Sequence, residues 1–192
     1  TMPDNTPNAG RQAPDSAKKW LDKVFETSPD YAPAWSFLAD IEQFLQNAQA
    51  AEVAYGKALE TRPHHVYDLA NRALMRIFQN KMQSANEDFQ AARRGNAKLK
   101  VKQPMVTYVQ GQLNLKREKY DLAAAAFTET LDAMPGYLPA RFFLAVAHYK
   151  RGNMEQAEEN LSRFRALAPQ YPAGHRLYAA LKFSQGSYKE AR

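Results

Sequence analysis

Small residues and bulky apolar residues recur along this chain at a fixed step. The small ones are Ala17, Ala51, Ala85, Ala123, Ala157 and Ala191, separated by 34, 34, 38, 34 and 34 residues. Four positions after each of the first five stands a large apolar side chain: Leu21, Tyr55, Phe89, Phe127 and Leu161. That spacing puts each pair on one face of a helix, one turn apart. The small residue lets a second helix approach closely, and the bulky one fills the space between them. Prolines close the phrases at Pro29, Pro63, Pro135 and Pro169, while the third expected closure falls on Ala97. Proline cannot continue a helix and restricts the residue before it. Each period therefore predicts two antiparallel helices and a tight turn.

The first helix of each unit carries its own phrase. Trp35, Leu38 and Ala39 open one; Leu144 and Ala145 hold the matching places in another, and Gly111 fills the small slot of a third. Gly152 and Gly186 fall where a helix end needs positive φ. Full repeats are predicted at 32–65, 66–99, 104–137 and 138–171, with partial ones at 15–31 and 172–192. Residues 1–14 contain three prolines and a glycine without apolar periodicity, which reads as a flexible tail. The longer step predicts an insertion of four residues near 96–103, a longer loop there and a local change of superhelical pitch. The chain stops inside an expected second helix, so the helix before it, roughly 173–184, should show an apolar face. Solenoids normally end in a polar cap, and a continuation of the protein is expected.

This pattern resembles the tetratricopeptide repeat family. The best unit runs Trp35, Leu38, Ala39, Ala51, Tyr55, Ala58, Pro63. Glu42, Arg76, Asn114 and His148 depart from the family's Tyr slot, as do Leu69 and Arg72 from its Trp and Leu slots. The resemblance implies an all-α, right-handed superhelical solenoid of about four full repeats, acting as a scaffold that binds proteins and not as an enzyme. Phrases between residues 100 and 191 are also similar to one bacterial subgroup. They are Val109-Gln110-Gly111, Lys119-Tyr120-Asp121, 134–140 and 153–158. That subgroup is the repeat lipoproteins encoded with exosortase and exopolysaccharide systems (the PEP-CTERM type). It implies an envelope protein on the periplasmic side; a cytoplasmic setting stays open.

Composition narrows the chemistry. Hydrophobic residues make up 45% of the 192, with 10 Tyr and 10 Phe, so a real core can be buried. Cysteine is absent, which removes disulfides, thiolate metal sites and cysteine nucleophiles. No apolar run approaches the ~18 residues of a membrane span. His64 and His65 read as a solvated turn, and His148 and His175 as packing residues. No phosphate loop, nucleophile elbow or metalloprotease helix occurs, so no cofactor, metal or catalytic residue is expected. A catalytic domain elsewhere in a larger protein, with this region as its regulator, is the remaining enzymatic reading.

Binding residues follow from the repeat phase, because first helices line the concave face of such stacks. Tyr67, Phe78, Tyr108, Phe142 and Tyr149 are the expected aromatic contacts for a peptide or helix, with Lys116, Lys150 and Arg176 as basic neighbours. Leu74, Ile77, Leu115 and Val146 share that face and have a packing reading beside a contact one. The paired Lys and Asn of a carboxylate clamp are missing: the slots hold Ser36 and Asp40, Ala70 and Leu74, Phe142 and Val146. The net charge of +6 is concentrated in Arg93, Arg94, Lys98, Lys100, Lys102, Lys116, Arg117 and Lys119, with Glu118 the only acid among them. This stretch reads either as solvated loop lysine or as an anion patch. Arg93, Arg94, Lys98, Lys100 and Lys102 are its core, facing acidic polysaccharide, anionic lipid or an acidic partner. Nucleic acid fits least, since no helix presents an evenly spaced basic stripe.

Overall fold

The computed structural model describes residues 9–187, and all regular structure among them is α-helix. The chain divides into two compact units, residues 1–99 and 100–192. The first holds α1 (Ala9–Thr27), α2 (Ala32–Phe44), α3 (Ala48–Thr61), α4 (Val66–Phe78) and α5 (Met82–Lys98). The second holds α6 (Pro104–Lys116), α7 (Tyr120–Ala133), α8 (Leu138–Arg151), α9 (Met154–Leu167) and α10 (Pro172–Ser184). Within each unit every helix packs on its neighbours in sequence, so each unit is a row of antiparallel hairpins.

The repeat phase becomes a set of equivalent surroundings. Ala51, Ala85, Ala123 and Ala157 are all fully buried, as are their partners Tyr55, Phe127 and Leu161, with Phe89 close behind. At Gly111 the fit is tighter still. A Cβ there would lie 2.5 Å from the Phe127 ring, so only glycine lets α6 and α7 close on that side chain.

Both kinds of turn repeat as well. The turn inside each hairpin places one residue at positive φ, Gln46, Asn80, Glu118 or Gly152, and Gly186 takes the same conformation after α10. The next N–H then reaches back five residues, as from Lys81 to the Arg76 carbonyl at 2.8 Å and from Asn153 to that of His148 at 2.9 Å. This is the Schellman closure of a helix C-terminus. Between hairpins, Tyr31, His65, Tyr137 and Tyr171 each donate to the carbonyl three residues earlier. The side chain in the Trp slot then latches the closing proline. Trp35 Nε1 donates to the Pro29 carbonyl at 2.6 Å and Arg141 to that of Pro135 at 3.0 Å, while His175 Nε2 lies 2.6 Å from that of Pro169. In these three units the slot carries a reaching side-chain nitrogen on Trp, Arg or His, whereas Leu69 holds the same slot after Pro63 as a buried apolar residue.

Two expectations need correction. The four extra residues near 96–103 do not mainly lengthen a loop. Helix α5 has 17 residues where α3, α7 and α9 have 14, and the segment 99–103 is one residue longer than the turn 62–65. Ala97 explains this: without the closing proline the helix runs on through Gly95, Asn96 and Ala97. At the other end, α1 begins at Ala9, so residues 9–14, read as part of the flexible tail, are helical. Pro14 lies inside α1 with its ring buried, giving up one helical hydrogen bond. Residues 1–8 and 188–192, including Ala191, lie outside the described residues. In α10, Phe183 is exposed and Leu181 is buried.

Candidate partner-binding surfaces

The second unit is built around rings. Tyr108 on α6 packs within 5.1 to 6.4 Å of Tyr137, Phe127 and Phe143, measured between ring centres. Phe143 faces Phe142 at 5.3 Å, and Phe142 faces Phe164 of α9 at 5.2 Å. Tyr171, in the turn before α10, meets Phe164 edge-on at 5.9 Å. Such offset and edge-on pairs add about 0.5–1.5 kcal/mol each beyond the area they bury. Where the run of rings reaches the surface it opens into a cavity of ≈ 360 Å³ lined by Leu138, Pro139, Phe142, Phe143, Phe164 and Tyr171. Phe164 is its buried floor, while Tyr171 at its rim is 52% exposed. The wall is mostly apolar, with the Tyr171 ring at its rim, so the cavity can hold an aliphatic or aromatic group by exclusion of water.

The predicted contact residues divide. Phe142 lines this cavity. Phe78 is 52% exposed at the end of α4. Tyr149 is half-buried, and Lys116, Lys150 and Arg176 are exposed. Tyr108 is a correction: it is 1% exposed, enclosed by rings, and its hydroxyl accepts from Gln112 Nε2 at 2.9 Å. Burial pushes its phenol far above the usual range, and that of Tyr137 up to about 12. It supports the cavity from behind and cannot touch a partner. Leu74 and Ile77 are fully buried, which settles them as packing.

Tyr67 belongs to a different arrangement. In the first unit its hydroxyl and that of Tyr55 both donate to Asp40 Oδ1, at 2.7 and 2.6 Å. Burial first, then the Asp40 carboxylate, raises both phenols well above the ordinary value. Asp68 is wholly buried and takes hydrogen bonds from Ser36 Oγ at 2.8 Å and Arg62 at 3.0 Å, with His65 Nδ1 at 2.8 Å. Asp88 receives Arg72 through two N–H groups and Arg76 through a third. Glu52 receives Arg76, Gln79 and Lys81. Desolvation raises the Glu52 carboxyl, but these three donors outweigh it and hold it below the usual range. These carboxylates bind helices to one another.

Leu138, Pro139, Phe143, Phe164 and Tyr171 were not anticipated as a site. Phase arguments rank residues on one helix, and this cavity takes walls from α8, α9 and a turn. The adjacent rings Phe142-Phe143 were the signal available. The anion patch falls on both units: Arg93, Arg94 and Lys98 in the first, Lys100 and Lys102 in the second, all exposed. Among the described residues no three His, Asp or Glu could hold a metal ion, and no helix is long and apolar enough to cross a membrane.

Hairpins repeated at this period, with the turns and the small-to-bulky packing above, define a helical-repeat scaffold. Two tetratricopeptide repeat models match residues 67–137 and 114–181, together more than half of the chain, and the chain belongs to that family. No curated protein matches the sequence. Among solved structures, the APC/C hetero-tetramer Cut9-Hcn1 is similar with a TM-score of 0.81 and 17% identity. That match covers 93% of this chain and 35% of the other, so this chain spans about a third of its length. PilW, a widely conserved type IV pilus biogenesis factor, gives 0.75 at 18% identity, covering 94% of this chain and 82% of the other. YrrB, described as a tetratricopeptide protein with an unusual peptide-binding site, gives 0.56 at 16% identity, with 89% and 86% covered. At these identities the likeness is one of fold.

Proposed function

We propose that this chain is a non-catalytic scaffold that holds a partner protein by a peptide segment, one apolar side chain of which seats in the cavity around Phe142. The observation that carries this reading is the cavity itself. Its ≈ 360 Å³ is near the lower end of the ~300–1,000 Å³ typical of ligand clefts. It suits one or two side chains and excludes a folded domain. Rings held rigid by neighbouring rings lose little entropy on binding, which is why aromatic anchors dominate binding energy.

Charge sharpens the reading. Residues 100–192 contain 14 Lys and Arg against 8 Asp and Glu, whereas residues 1–99 contain 12 of each, so the whole net charge of +6 lies in the second unit. A segment with carboxylates beside its apolar anchor matches Lys150, Arg176 and Lys116 there. YrrB, of like fold, is described as binding peptide at an unusual site, which is a precedent for sites of non-standard chemistry on this scaffold. The envelope and exosortase setting rests on the phrases between residues 100 and 191 alone.

A random peptide library displayed on phage, selected against the wild-type chain, tests the proposal. Enriched peptides should share an aromatic or aliphatic anchor, and Phe142→Ala should weaken them at least about tenfold. Peptides without a common anchor, or affinity indifferent to Phe142→Ala, would refute it.

A further inference from the structure

The arginines of the first unit are spent unequally. Arg62, Arg72 and Arg76 all reach carboxylates within 3.0 Å. Arg94 and Lys98, near the end of α5, have no carboxylate partner among the described residues, although the unit holds as many acids as bases. These two cations are one helical turn apart. With Ala91 and Gly95 they form a single face of α5, at spacings of three and four residues.

That face borders a groove of ≈ 750 Å³. His64 and Val66, from the turn into α4, form the opposite wall, and Arg94 and Lys98 stand on the α5 side. Gly95 lets the walls close: a Cβ there would lie 2.7 Å from Val66 Cγ2. No acidic residue lines the groove. A lysine in the last turn of a helix has an ordinary role, complementing the helix dipole. That role accounts for Lys98. It does not account for Arg94 a turn earlier, nor for a small apolar floor between cations and a histidine.

We infer that this groove on the first unit is a second binding site, separate from the aromatic cavity, for an acidic segment of a protein partner. An aliphatic side chain of that segment rests on Ala91, Gly95 and Val66, and flanking carboxylates reach Arg94 and Lys98. A bare anion would leave the apolar floor unused. An apolar segment would strand two desolvated cations, which is costly. A chain that alternates carboxylate and aliphatic groups satisfies both. The site shares no residue with the Phe142 cavity, so either can fail without the other.

The test uses the whole chain and a fluorescein-labelled octapeptide of alternating Asp and Leu, read by fluorescence polarisation. An Asn/Leu twin, inorganic phosphate and phosphatidylglycerol vesicles serve as competing probes. The Asp/Leu peptide should bind at least about tenfold tighter than its twin. Arg94→Ala/Lys98→Ala should remove that preference, and Ala91→Asp should abolish binding. All three positions are outside the core, and a circular dichroism melt checks that the variants fold. These comparisons are made in a Phe142→Ala background, which removes the aromatic cavity of the second unit as a competing seat for an aliphatic group flanked by carboxylates. Some affinity should survive a rise from about 50 to 500 mM salt, because the apolar contact is not screened. An Arg93→Ala/Lys19→Ala variant removes the same charge elsewhere on the unit. Equal weakening by that variant would overturn the inference, as would vesicles or phosphate showing the Arg94 and Lys98 dependence that the peptide lacks.

Discussion

In the first unit, Asp40, Asp68, Asp88 and Glu52 each gather two or three donors from neighbouring helices and turns; in the second, Tyr108, Phe127, Phe143, Phe142 and Phe164 touch ring to ring. The repeat register makes these direct alternatives. Arg72 and Asp88 occupy the places that Leu38 and Ala54 hold one repeat earlier. Phe44 and Phe78 end the first helices of the first unit, and Lys116 and Lys150 hold the same register in the second. The backbone period is indifferent to how the space between helices is filled, provided each filling is complete. What it does not prescribe is where binding groups appear. Carboxylates consumed inside the first unit leave its α5 cations bare, and rings packed through the second unit emerge as a cavity.

The largest effect that would break this contrast is expected at Phe127. Phe127→Ala deletes a fully buried ring that two other rings and Gly111 enclose, and should cost about 3–5 kcal/mol in a denaturant melt. A loss below 1 kcal/mol would mean the rings are not the second unit's core.

Next comes the ionic lattice. Asp88→Ala leaves Arg72 and Arg76 short of a partner where both are mostly buried, and should cost about 2–4 kcal/mol. The double change Arg72→Leu/Asp88→Ala copies the Leu38 and Ala54 pairing. It should recover much of that loss, since apolar replacement of a whole buried pair is often neutral. Additive losses in a double-mutant cycle would contradict the register argument.

Most of the architecture was legible from period alone: hairpins, turns and the buried Ala and bulky pairs all follow from one-dimensional spacing. Gly152 and Gly186 could be read as positive-φ closures because glycine advertises them. Gln46, Asn80 and Glu118 occupy the same conformation without that signal. Tyr108 was misjudged because phase alone does not show how many rings enclose it. Its burial combines Phe127 of its own hairpin with Tyr137 in the closing turn and Phe143 of α8. The cavity was half visible for the same reason, since Phe142 is phased toward a surface but Phe164 and Tyr171 join it only in three dimensions. Ala97 in place of a proline was visible, but its consequence, a longer α5, needed the structure.

A smaller effect separates turns by sequence and not by geometry: Gln46, Asn80 and Glu118 against Gly152 and Gly186. Non-glycine residues pay about 1–2 kcal/mol in the left-handed region. Glu118→Gly and Gln46→Gly should therefore each stabilise by about 1 kcal/mol, less the extra chain entropy of glycine. Asn80→Gly should gain less, because Asn tolerates that conformation. Melts in which all three variants lose stability would refute the Schellman reading.

The smallest expected effect is in pH, and it again divides the units. Burial first and then Arg151 depress His148 below its ordinary value of 6.5, with Asp121 opposing. The fold prefers the neutral ring, so its contribution is complete above pH 6.5 and declines as pH falls from there toward the lower folded value. Glu52 is also lowered, from 4.5, so the first unit keeps its contribution down to that pH and loses it only on further acidification. Hydrogen exchange read separately for peptides of α8 and α3, corrected for intrinsic rates, should show α8 loosening first. His148→Gln should remove that early step.

The most direct test of the account is a titration of phenylalanine-labelled protein with a library-selected peptide, followed by NMR of the rings. The account predicts shifts confined to Phe142, Phe143 and Phe164, with Phe37, Phe44 and Phe78 of the first unit unmoved. Shifts centred on Phe44 and Phe78, with the Phe142 cluster silent, would contradict it.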